Sequence, residues 1–253
     1  MATVAVFASL AGCKVDPERP DAAAPEDAET ADASEAADAG DACPGEIAYE
    51  VRAARWATGA PLAEVAIAQI SDPANSATTD ADGRGSLCVP EPAARVTHDR
   101  PDTLRWLAEV DGEAARRVGD AGAVFQAHLM TPAEADEVFS LELGLARDPT
   151  AAIVAVEVRT YPDGEPLKGA RVELAGAAFA GVYTGSPAEE FSPGNTLEGG
   201  DLVVFANVEP GPPQAEVIVS PPTGFDGACA GPEAAAIAGG AFTHVLVACE
   251  RAF

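Results

Sequence analysis

The sequence predicts an all-β protein: two tandem β-sandwich domains joined by a short helix, behind a disordered acidic linker. Three observations predict it. Apolar residues recur at every second position in short runs, the pattern of half-buried strands. Gly and Pro are plentiful, at 24 and 21 residues, while aromatics are only 6%. Long runs with helical spacing are missing, and turn-rich chains of short strands pack as sandwiches. The 253 residues suffice for two ordinary domains.

The chain opens on the apolar run Val6-Phe7-Ala8-Ser9-Leu10-Ala11-Gly12-Cys13. It is too short to span a bilayer, which needs about 20 apolar residues, and suits the apolar core of a signal peptide. Two small residues and a cysteine at its end resemble the lipobox of bacterial lipoproteins. The resemblance implies cleavage before Cys13, a diacylglycerol on its sulfur, and residues 1–12 as signal peptide. No Lys or Arg precedes the run, as though translation began further upstream. Lys14, where an Asp would favour inner-membrane retention, points to an outer-membrane lipoprotein, periplasmic or surface-exposed.

Residues 13–42 read as a lipid-anchored tether. Residues 14–42 hold ten acids and Arg19 among alanines, with Pro17, Pro20 and Pro25 and no aromatic. Such a segment cannot bury enough apolar area to offset its ordering entropy. The whole chain carries 41 acids against 15 Lys and Arg, a formal charge of -26. That surface repels nucleic acid and anionic headgroups, so the lipid is the expected link to the membrane.

Residues 43–130 read as the first sandwich. Ile47, Tyr49 and Val51 alternate with Ala48, Glu50 and Arg52. Gly59-Ala60-Pro61 makes a turn, and Val65 and Ile67 begin the next strand. Asp82-Gly83 signals a hairpin, because glycine tolerates positive φ. Leu87 and Val89 share a face of the strand that follows; Leu104–Val110 and Val124–Leu129 are two more strands. Asp80-x-Asp82-Gly83 has part of a calcium-loop pattern, but the turn accounts for these aspartates without a metal.

Gly59-Ala60-Pro61-Leu62-x-x-Val65-x-Ile67, followed by Thr79-x-x-Asp82-Gly83-x-x-x-Leu87-x-Val89-Pro90, resembles the carboxypeptidase regulatory-like domain. The resemblance implies a prealbumin/Ig-like β-sandwich, common in bacterial surface proteins. The family usually has an aromatic two residues after the turn glycine; this chain has Gly85.

Thr131-Pro132-Ala133-Glu134 is a helix start with a capping box and Pro at the first helical position. The helix is expected to reach Leu143, to stop at Gly144 and to bury Leu141 and Leu145. Residues 131–149 thus form the connection.

Residues 150–253 repeat the theme. Val154, Val156 and Val158 alternate into a core. Pro166-Leu167-Lys168-Gly169-Ala170-Arg171-Val172-Glu173-Leu174 resembles the same family opening, and Thr196-x-x-Gly199-Gly200-x-Leu202-x-Val204-x-x-x-Val208-x-Pro210-Gly211 its closing strand and turn. Ala215, Val217 and Val219 mark another strand; Thr243, Val245, Val247 and Cys249 mark the last. The second copy is longer, and the extra length holds the Ser-, Pro- and Gly-rich stretch Tyr183–Asn195. Tyr183, Phe191 and Asn195 are the candidate contact residues of this loop, since loops on rigid scaffolds commonly carry binding.

With Cys13 lipidated, four cysteines remain: Cys43, Cys88, Cys229 and Cys249. Three pairings are open. Cys43–Cys88 and Cys229–Cys249 keep each bridge within one half, as suits an oxidising compartment. Metal-ligand and cofactor motifs are missing, as are nucleophile elbows and phosphate loops. His128 and His244 are expected on strand surfaces. The expected function is non-enzymatic: an anchored module binding a protein or glycan partner. The alternative is a hydrolase, or the accessory subunit of an envelope enzyme, with a site around His98, Asp99, Arg100 and Asp102.

Overall fold

In a computed structural model the chain forms stacked β-sheets with one α-helix among the described residues. Those residues are 43, 46–89, 93–111, 114, 124–141, 144–161, 163–175, 177, 180–183, 192–193, 196–197, 202–210 and 214–251. Cys13 and the tether lie outside them.

The first strand, β1 (Ile47–Arg55), pairs antiparallel with β4 (Arg84–Val89) and parallel with β7 (Phe125–Leu129), forming a small sheet. A long sheet runs beneath it. It starts at β3 (Ser76–Thr78) and continues through β2 (Ala66–Gln69), β5 (Ala93–Asp99) and β6 (Trp106–Asp111). Next comes β16 (Phe242–Arg251), then β8 (Ala152–Tyr161), β12 (Leu202–Val208), β10 (Ala180–Tyr183) and β11 (Ser192–Pro193). The short β14 (Gly227–Ala230) pairs with the far end of β16. A third sheet, β15 (Ala234–Ala236), β13 (Gln214–Ser220) and β9 (Arg171–Leu174), covers the other face.

Two cores lie between these layers. Tyr49, Val51, Leu87, Val89, Phe125 and Leu129 of the small sheet meet Val96, Trp106 and Ala108 of the long one. Val172, Leu174, Ala215, Val217 and Ala235 of the third sheet meet Val154, Val156 and Val158. The sandwiches expected from the sequence are present, and they share the long sheet. β8 sends Ile153 and Ala155 into the first core and Val154, Val156 and Val158 into the second. β16 likewise divides Phe242 and Leu246 from Val245, Val247 and Cys249. Strands covered on both faces read as nearly continuous apolar runs, which is why Ala151-Ala152-Ile153-Val154-Ala155-Val156 contains no polar residue. β16 lies parallel to both β6 and β8, so a late strand joins the two halves.

The helix α1 (Pro132–Leu141) carries the expected capping box. The Glu134 amide donates to Thr131 Oγ1 at 3.1 Å, and the Thr131 amide donates to Glu134 Oε2 at 2.6 Å. Leu145 packs against the first core as expected, beside Val138, and Ala135 and Phe139 of the helix enter that core; the side chain of Leu141 lies outside the described ones.

Asp82-Gly83 is a turn but not a hairpin between paired strands. It carries the chain from β3, in the long sheet, to β4, in the small one. Asp80 caps it, its carboxylate accepting from the amides of Asp82 and Arg84 at 2.9 and 2.8 Å. Gly83 has φ +75°, and a Cβ there would come within 2.3 Å of the Ala53 carbonyl oxygen. At Gly85 a Cβ would stand 2.5 Å from Cδ1 of buried Ile67.

Both bridges form as expected. Cys43–Cys88 ties the start of the described chain to β4, and Cys229–Cys249 joins register partners of β14 and β16.

Candidate functional site

His244 does not lie on a strand surface, where the alternating pattern places it. Register across the long sheet sets Ile67 opposite His98, His98 opposite Trp106, and Trp106 opposite Phe242. One step along β16, His244 stands opposite Ala155 of β8, and Glu157 is two residues further on. Tyr49 reaches down from β1. The result is an interior polar chain. Tyr49 Oη and His98 Nε2 share a hydrogen bond at 3.2 Å. The His98 ring meets Trp106 edge-on at 4.8 Å, and Trp106 stacks on His244 at 5.2 Å. His244 Nε2 lies 2.9 Å from Glu157 Oε2, and Arg159 pairs with the same carboxylate. Trp56 joins the group between Phe242 and His128.

His98 is fully buried and His244 is 6% exposed, while His128 is half-buried. The strand-surface expectation for His244 therefore gives way to a buried position, while His128 alternates with Gln126 on the less buried face of β7. Alternation assumed one wet face per strand, whereas β16 has none over most of its length.

Charge in this cluster follows from burial. Desolvation drives the His98 pKa down to about 3, so its ring is neutral at pH 7. Burial also lowers His128, with further repulsion from His244. Burial alone would raise Glu157; the His244 hydrogen bond and the Arg159 charge outweigh it and bring the carboxyl to about 2. Tyr49 is raised by burial. Trp106 stacks on the imidazole of this buried carboxylate–imidazole pair.

The alternative site around His98 is not assembled. Asp102 turns outward to Arg55 at 2.9 Å and Arg100 at 3.2 Å, and Asp99 pairs with Arg105 at 3.5 Å. The Arg55 hydrogen bond holds Asp102 below the usual carboxylate range. Among the described residues no three His, Cys, Asp or Glu side chains converge as a metal site would require. Of the loop residues, the main chain of Tyr183 ends β10 opposite Leu202; Phe191 and Asn195 lie outside the described residues.

The surface offers a groove that the sequence did not reveal. It has a volume of about 690 Å³ and lies between the β8–β9 turn, the loop after β13 and Arg251 at the end of β16. Its walls are well tied. Gly164 N donates to the Thr160 carbonyl at 2.8 Å, Thr160 N to the Glu165 carbonyl at 2.8 Å, and Phe225 N to the Pro222 carbonyl at 3.0 Å. Gly169, at φ +81°, brings Pro222 against the opposite turn. The Phe225 ring packs against Gly227, where a Cβ would come within 2.8 Å of it. The Cys229–Cys249 bridge fastens this edge two residues further along β14.

Neither a family model nor a curated protein matches the sequence. Solved structures resemble it loosely. The TIE protein of Bacillus anthracis is 13% identical with a TM-score of 0.25, over 82% of this chain and 34% of that one. This chain thus spans about a third of that protein's length. A minor pilin of Streptococcus agalactiae is 10% identical with a TM-score of 0.29, over 82% and 97%. The shaft pilin SpaA of Lactobacillus rhamnosus GG is 12% identical with a TM-score of 0.25, over 80% and 97%. At such scores the likeness carries no functional argument.

Proposed function

We propose that the protein is a non-enzymatic, envelope-anchored lipoprotein that presents a rigid stack of β-sheets to a protein or glycan partner. The observation that carries this reading is the placement of the chain's reactive groups. His98, His244 and Glu157 are spent on internal cross-links between strands, while the turns and loops face outward on a disulfide-tied scaffold. The disulfides belong to an oxidising compartment, in keeping with export. Lipidation of Cys13 and the resemblance to carboxypeptidase regulatory-like domains are part of the same proposal.

The tether of residues 14–42 gives this reading its reach. A flexible coil of that length spans about 30 Å, and mutual repulsion of its acids extends it further at low salt. The sheets can then sample orientations away from the membrane. The contact surface proposed first is Tyr183–Asn195, with Phe191 as its apolar anchor.

The test begins with the chromosomal gene. The native protein partitions into detergent, and Cys13→Ser releases it or leaves it uncleaved. A water-soluble wild type that keeps Met1 would refute the anchor. Shortening Gly185–Gly194 to a Gly-Ser turn leaves thermal stability nearly unchanged and lowers partner capture from envelope extract. Undiminished capture would move the contact surface elsewhere.

A further inference from the structure

We propose that the groove between the β8–β9 turn and the loop after β13 is a binding site for a short neutral saccharide. The inference rests on the binding-module reading and adds to it a ligand class and a second surface, distinct from Tyr183–Asn195.

Three features point to that chemistry. Phe225 lies in the groove wall, half-buried, with its ring fixed against Gly227. An anchored aromatic face can carry the C–H face of a pyranose at little entropic cost. Around it stand the exposed carboxylates of Asp163, Glu165 and Asp226, which only accept hydrogen bonds. The same groove holds Lys168 and Arg251, which only donate. Neither has an ion-pair partner among the described residues, although most described cations of this acidic chain do.

A lining with free acceptors and free donors beside an aromatic ring suits hydroxyl groups, each of which does both. A polyanion is opposed by the three carboxylates and by the chain's charge of -26. A cationic peptide meets Lys168 and Arg251 within the groove. The volume lies in the range of small-molecule sites, and Thr160, the prolines and the loop hydrogen bonds set the walls before any ligand arrives.

The test is solution NMR on the full chain with Cys13→Ser, titrated separately with cellotriose, chitotriose and maltotriose. Trilysine and polygalacturonate serve as comparators. The expected result is saturation transfer to at least one neutral trisaccharide, with amide shifts confined to Lys168, Gly224, Phe225 and Arg251. Phe225→Ala and, separately, Lys168→Gln weaken that binding about tenfold. Lys168 is exposed, so its variant keeps the fold if Phe225→Ala does not. The proposal is overturned if no neutral trisaccharide binds at millimolar concentration, if the shifts fall elsewhere, or if only trilysine or polygalacturonate binds. Envelope capture that survives both substitutions, with no saccharide bound, overturns the groove and leaves the binding-module reading standing.

Discussion

Gly85 shows how a single missing side chain is absorbed. Gly85 has no side chain, and the tip of Ile67 from β2 occupies the space beside it. Adding a Cβ at Gly85 pushes on the tip of Ile67, a movable atom. Gly85→Ala is expected to cost about 1 kcal/mol, and Ile67→Val, which removes that tip, about 0.5–1.5 kcal/mol alone. The double variant costs less than the sum, with coupling of about 0.5 kcal/mol or more in urea titrations. Strict additivity would show that the two positions do not touch.

The interior histidine gives a second expectation at this scale. The folded pKa of His98 is near 3, against 6.5 for an exposed histidine. Between those values the unfolded chain binds a proton that the folded one refuses. Stability from this group is therefore complete above about pH 6.5 and falls as pH drops towards 3. Glu157, lowered from 4.5 to about 2, loses its contribution in the same direction at lower pH. Chemical denaturation across pH 4–6 is expected to show proton uptake on unfolding, reduced by about one proton in His98→Gln. An unchanged slope would place the uptake on other groups. None of this was legible beforehand. A histidine in an alternating run looks the same whether its strand has one covered face or two, and the partners of His98 are supplied by β1 and β6.

Among the elements, the helix start was legible because a capping box is local: Thr131 and Glu134 are three residues apart. Phe139, which enters the first core from the same helix, was not read as a core residue, because its partners come from strands distant in sequence. β8 and β13 were legible from their alternating valines. β5 was missed because Val96 is its one large aliphatic residue, with Ala94, Thr97 and His98 filling the remaining buried positions.

β16 was recognised as a strand, but its neighbours could not be read, because register between distant segments is not written in local periodicity. Glu109 adds a second link between the halves, accepting from the Ala236 amide at 2.8 Å while pairing with Arg95. Residues 43–141 alone would lack Ile153, Ala155, Val204, Phe242 and Leu246 from their core. That fragment, and residues 150–253 alone, are each expected to give poorly dispersed amide spectra. Co-refolding the two should restore dispersion. Cooperative folding of either fragment alone would mean the shared sheet is dispensable.

For the whole molecule, the bridges fasten opposite regions of the stack. Cys43–Cys88 closes 45 residues and Cys229–Cys249 closes 20. On the loop-entropy estimate they contribute about 4 and 3 kcal/mol. Cys88→Ser with Cys43→Ser is expected to lower the melting temperature more than the Cys229/Cys249 pair of replacements, as measured by calorimetry. The reverse order would show that strand geometry outweighs loop length. Pairing within halves was legible from the even count of cysteines and their distribution; the groove was not, because it is assembled from turns widely separated along the chain.

The parallel seat of β16 between β6 and β8 also sets the order in which the molecule can be completed. During synthesis and export the chain emerges from its N-terminal end, and β6 and β8 are outside long before Phe242. Until then each presents an unpaired edge above a core that lacks one wall, a surface open to strand exchange with a neighbouring chain. Contacts so distant in sequence also close slowly. The two edges are closed together, and only with the arrival of the late strand that pairs with both.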